Sequence, residues 1–96
     1  MFAVYEEPGP GWDPARPRRA QDGWDEHAAF MDELAEDGFV VLGGPLGDGR
    51  FVLLAVDAED EAAVRARLAD DPWLGDGGVL RIDRIEPWTI FLDGRP

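Results

Sequence analysis

The chain has 96 residues, enough for one domain and its single core. It carries 21 acidic against nine basic residues, a formal net charge of −12, and this negative surface argues against nucleic acid and anionic membrane as partners. Hydrophobic residues make up 45% of it, too many for a disordered chain, and the absence of cysteine excludes disulfides and thiol catalysis.

All nine basic residues are Arg. Neither a basic-then-apolar leader nor an apolar run of membrane-spanning length is present, so a soluble cytoplasmic protein is expected. One His, no Cys and scattered carboxylates offer no convergent ligand set, so neither a metal nor another cofactor is expected.

In chain order, "MFAVYEE" (1–7) is a short β-favouring run and predicts a first strand. The next stretch, 8–23, is dense in Pro and Gly and predicts a loop or extended arm. "WDEHAAFMDELAED" (24–37) places His27, Phe30, Met31 and Leu34 at the i, i+3, i+4, i+7 spacing of an amphipathic helix. Asp25 and Glu26 suit the positive end of that helix, and Gly38 suits its C-terminal cap.

"FVVLGG" (39–44) and "RFVLLAVDA" (50–58) are continuous apolar runs separated by the turn "PLGDG" (45–49), which predicts a hairpin. "EDEAAVRARLADD" (59–71) predicts a second helix, with Val64 and Leu68 inward, capped by Asp57 or Asp60 and ended by Pro72. Residues 77–92 predict a long last strand, bent or broken near Pro87.

The order β-α-β-β-α-β is the ferredoxin-like arrangement, an α+β fold with both helices on one face of an antiparallel sheet. Continuous apolar strands imply burial on both faces, and two short helices cover only one. The other face then calls for a second copy, giving a homodimer through the sheet, or for the 8–23 arm folded across it.

The segment from "EHAAFMDELAEDGF" through "GGPL" and the hairpin to "ADDPW" resembles the YciI-like (YCII-related) family. The matching features are a helix-borne His27, Gly38 after that helix, the "GGPL" corner (43–46), and Asp71-Pro72-Trp73 after the second helix. The final "VLRIDRIEPW" also fits, so the resemblance covers about 26–92. It implies a dimeric α+β barrel, similar in fold to muconolactone isomerases, with a site built from His27 and Asp71. Some members are linked to dehydrochlorination of aromatic intermediates, and most have no assigned reaction. The arm 8–23 is an insertion relative to the shorter members.

A carboxylate that accepts a proton from one imidazole nitrogen fixes the tautomer and leaves the other nitrogen free to take or give a proton. With Asp71 as that carboxylate, His27 becomes an acid–base group acting on a small cyclic or aromatic ligand by elimination or isomerisation. Trp73, Gly44, Pro45 and Phe30 are the residues expected to line its pocket, with Gly43 and Gly44 allowing close backbone approach. The competing reading makes His27 a half-buried helix residue, Asp71 a plain helix terminator and the protein a non-catalytic ligand-binding or accessory dimer. In a third reading, the arm docks on another protein. "GGPLGDG" lacks the Lys and Ser/Thr of a phosphate loop and reads as a hairpin corner.

Overall fold

The computed structural model describes residues 1–96 and contains four strands and two α-helices. The strands are β1 (Phe2–Pro8), β2 (Val40–Leu46), β3 (Phe51–Val56) and β4 (Leu80–Pro87), and the helices are α1 (Trp24–Glu36) and α2 (Glu61–Leu68). One antiparallel sheet runs in the order β2-β3-β1-β4. This α+β arrangement is compatible with the ferredoxin-like fold, and neither helix is long and apolar enough to cross a membrane.

Strand alternation sets the two faces. In β1, Phe2, Val4 and Glu6 pair with Val56, Leu54 and Val52 of β3, and these residues point to the helices. Val4, Val56, Val64, Leu68 and Leu34 are at most 1% exposed and join the sheet to both helices in one core. Asp60 caps α2 through Ala63 N–H at 2.8 Å, and Gly38 follows α1 in the left-handed region (φ 78°) that a C-terminal cap demands.

Two bulges interrupt the ladder, one opposite the Tyr5–Glu6 step of β1 and one between Val40 and Leu42 of β2. Bulges re-aim side chains where pairing is broken, and both of these border the cavity described below.

The last strand is shorter than the apolar pattern predicts. It stops at Pro87, which has no N–H to continue the ladder, and Trp88 N–H instead bonds to the Met1 carbonyl at 2.8 Å. Residues 88–96 run on without regular structure, and Trp88 lies against Ala55 and Leu53 on the far face of the sheet.

The 8–23 arm does not cover that far face. It pairs with the segment before β4 through Gly9 N–H to Val79 O and Gly11 N–H to Gly78 O, both 2.9 Å. Gln21 is 3% exposed and ties the arm to itself, donating to the carbonyls of Asp13 and Arg16 and accepting from Asp13 N–H. A short 3-10 turn, Arg18–Ala20, then delivers Arg18 to the β2–β3 turn, where its Nη2 donates to Gly49 O at 2.8 Å. The arm is thus a wall on the helix side of the sheet.

Candidate functional site

His27 lies one turn into α1, and Asp71 lies three residues beyond α2. Forty-four positions apart in sequence, they meet in the interior: His27 Nδ1 and Asp71 Oδ1 are 2.8 Å apart. His27 is 8% exposed and Asp71 2%. An ionised carboxylate only accepts hydrogen bonds, so the imidazole donates from Nδ1–H and Nε2 is left as the basic nitrogen. Nε2 makes no hydrogen bond within the chain.

The Asp-Pro-Trp sequence explains how Asp71 is aimed. Pro72 disfavours the helical region for the residue before it, and α2 has already ended at Leu68. Asp71 Oδ1 then also accepts the backbone N–H of Trp73, two residues on, at 2.9 Å. This local Asx turn fixes the carboxylate before His27 arrives. Trp73 completes the support: its ring stacks on the imidazole at 4.0 Å and 7°, and its Nε1–H donates to Asp22 O at 2.8 Å. Trp24 leans on both rings at 5.6–5.9 Å.

In front of the imidazole is a cavity of about 460 Å³ between α1 and the β2–β3 half of the sheet. Its wall includes Trp24, His27, Met31 and Asp32 of α1, and the run Val40–Pro45 of β2. Val52 and Leu54 of β3, Leu80 of β4, Glu6 of β1 and Arg18 of the arm close it.

Of the residues expected to bind a ligand, Gly44 and Pro45 are on this wall, and Phe30 and Trp73 are not. Phe30 packs against the hydrophobic core instead. Trp73 is 1% exposed and backs the imidazole from the side away from solvent. Close approach is needed at Gly43, where a Cβ would lie 2.7 Å from Leu54 Cδ2, and not at Gly44, where nothing lies within 4 Å.

Glu6 and Arg18 also line this wall, and neither belongs to the motifs that mark the site in the sequence. Glu6 continues the inward alternation Phe2-Val4-Glu6, so a period-two count of "FAVYEE" places a carboxyl in the core. It is 1% exposed, and its Oε2 has no hydrogen-bond partner. Burial, reinforced by the negative charge of Asp71, raises its pKa from 4.5 to about 7, against a downward pull from Arg18. Burial also lowers the Arg18 guanidinium, and Glu6 counteracts it. No three potential metal-ligating side chains converge anywhere in the chain.

A carboxyl that holds its proton longer when folded favours folding only while it stays protonated. Below the unfolded value of 4.5 nothing is lost, and stability falls as pH rises from there to about 7. That shift corresponds to a loss of about 3 kcal/mol. Glu6→Gln removes it, so the stability of this variant relative to the wild type should rise by about 3 kcal/mol between about pH 4 and about pH 8 in urea unfolding. A difference that is flat with pH would place the Glu6 titration elsewhere.

No match was found among curated proteins or solved structures. The family model for the YCII-related domain, by contrast, matches residues 1–89, spanning β1, the His27 helix, the Asp71 turn and β4. The chain belongs to the YCII-related domain family.

Proposed function

We propose that this protein is a cofactor-independent enzyme in which His27, oriented by Asp71, transfers a proton to or from a small cyclic or aromatic molecule. The observation that carries the reading is the 2.8 Å Nδ1–Oδ1 contact of a buried dyad on the wall of a 460 Å³ cavity. A side chain needed only for packing does not require a carboxylate behind it. An apolar pair of similar volume fills a core without the desolvation cost of buried polar groups. Here the carboxylate is pre-aimed by its own turn and the imidazole plane is fixed by stacking, which leaves one nitrogen as the only free polar position of the dyad's ring. That is the arrangement general acid–base catalysis requires. The apolar character of β2 and β3 and the Trp24 ring suit an organic substrate with a hydrophobic body. Elimination or isomerisation fits, because both begin by removing a proton from carbon.

The test is deuterium exchange from D2O into the acidic C–H of 2-tetralone, followed by NMR. The wild type accelerates exchange. His27→Gln lowers the rate by about 100- to 10,000-fold, the range of a lost general base, with circular dichroism unchanged. Asp71→Asn falls steeply as well, since an amide behind the ring turns the imidazole to the wrong tautomer. Saturable binding without exchange in any form supports the alternative, a ligand-binding or accessory module.

We further propose that the protein is a homodimer through the far face of its sheet. Supporting this are Leu42 and Leu46, 61% and 43% exposed, beside the apolar tail in which Phe91 and Leu92 are more than nine-tenths exposed. A soluble monomer rarely leaves such a patch uncovered. Light scattering should give twice the 10.6 kDa chain mass, and Leu42→Asp with Leu46→Asp should return the single mass.

A further inference from the structure

Glu6 is buried next to the dyad, yet nothing in the chain partners its Oε2. An unpaired buried polar group costs about 1–3 kcal/mol, so a carboxyl left in this state without a role is unusual. Arg18 is the counter-charge that acts on Glu6 electrostatically, but the two form no ion pair. The guanidinium instead gives Nη2 to Gly49 O. The strand neighbours of Glu6, Val52 and Ile82, are apolar. The charged and titratable groups facing it are Asp71 after α2, His27 and Asp32 from α1 across the cavity, and Arg18 from the arm.

Glu6 and His27 therefore stand on one cavity wall with opposite tendencies. His27 is held at Nδ1 by a carboxylate, which leaves Nε2 as the bare nitrogen. Glu6 faces burial and the negative charge of Asp71, both of which favour the neutral acid. One cavity thus presents a held carboxyl proton and a bare ring nitrogen, a proton donor and a proton acceptor.

We infer that Glu6 is the proton donor of this cavity, the acid that complements the His27 base, and that the substrate is a small enolisable carbonyl compound. The inference rests on the His27–Asp71 reading above. Nε2 of His27 takes the proton from the carbon beside the carbonyl as that C–H bond breaks. Its electron pair becomes the C=C bond, and the carbonyl oxygen takes the Glu6 proton, leaving enol, imidazolium and glutamate. Where the substrate carries a C=C bond one carbon further on, the enol is a dienol: the imidazolium returns its proton to the far end of that bond, the enol O–H returns its own to Glu6 as the carbonyl re-forms, and the C=C bond has moved into conjugation. Both groups are restored, and no oxidant or co-reactant is consumed.

Two measurements on the intact chain test this. The first is the carbon-13 resonance of the Glu6 carboxyl, assigned by its loss in Glu6→Gln and followed with pH in the free protein. The inference expects titration near 7; titration in the ordinary glutamate range overturns it. The second is the 2-tetralone exchange rate. The inference expects at least a tenfold loss in Glu6→Gln, with the high-pH decline that follows Glu6 ionisation gone and partial recovery in Glu6→Asp. If His27→Gln abolishes exchange and Glu6→Gln matches the wild type, the Glu6 assignment fails and the dyad stands. If His27→Gln matches the wild type, or the wild type gives no exchange, the dyad reading fails and takes the Glu6 assignment with it. Should Glu6→Gln fail to fold, loss of the resonance in Glu6→Asp assigns it, and the wild-type titration still decides.

Discussion

The hydrogen bond between His27 Nδ1 and Asp71 Oδ1 is the constraint around which the helix side of the domain is arranged. It joins the first turns of α1 to the turn after α2, two segments that share no strand pairing. Around it, Trp73 stacks beneath the imidazole and reaches Asp22 at the end of the arm. One contact thereby ties both helices and the 8–23 arm to a common point. Removing one member of such a buried pair leaves the other uncompensated, at a cost of about 3–5 kcal/mol. The pair is a poor way to gain stability and a good way to hold one imidazole nitrogen in place.

Electrostatics sharpen the site's character. The chain is strongly acidic, yet its one cavity-lining cation, Arg18, is committed to a backbone carbonyl and forms no ion pair with Glu6. Burial, reinforced by the negative charge of Asp71, keeps Glu6 in its neutral form over more of the pH scale. The same carboxylate that holds the His27 ring at Nδ1 helps Glu6 keep its proton. The bulges in β1–β4 and β2–β3 fall where these residues meet the cavity, so the departures from regular pairing coincide with the chemistry.

Much of this was legible in the sequence. The spacing of His27, Met31 and Leu34 marks α1, and the apolar runs around "PLGDG" mark the hairpin. The Asp-Pro-Trp triplet marks the end of α2 and carries the dyad partner. The break of the last strand at Pro87 was legible in the proline itself; that no strand resumes beyond it was not, because "WTIFL" is as β-favouring as the strand before it. Trp73 and Phe30 were expected to face a ligand because aromatic type alone does not say which side of a residue meets the cavity. Glu6 was readable in principle from strand alternation, but its importance depends on Asp71 being nearby, which no local pattern encodes. The arm's path along the helix side depends on the Gln21 and Arg18 contacts, also invisible to local composition.

With Asp71 fixing the His27 tautomer, Nε2 is the working base. The nitrogen-15 spectrum of the single histidine reads this directly. The account predicts a neutral ring protonated at Nδ1 and bare at Nε2, with that preference lost in Asp71→Asn. A ring protonated at Nε2 in the wild type, or a spectrum unchanged in Asp71→Asn, would contradict it.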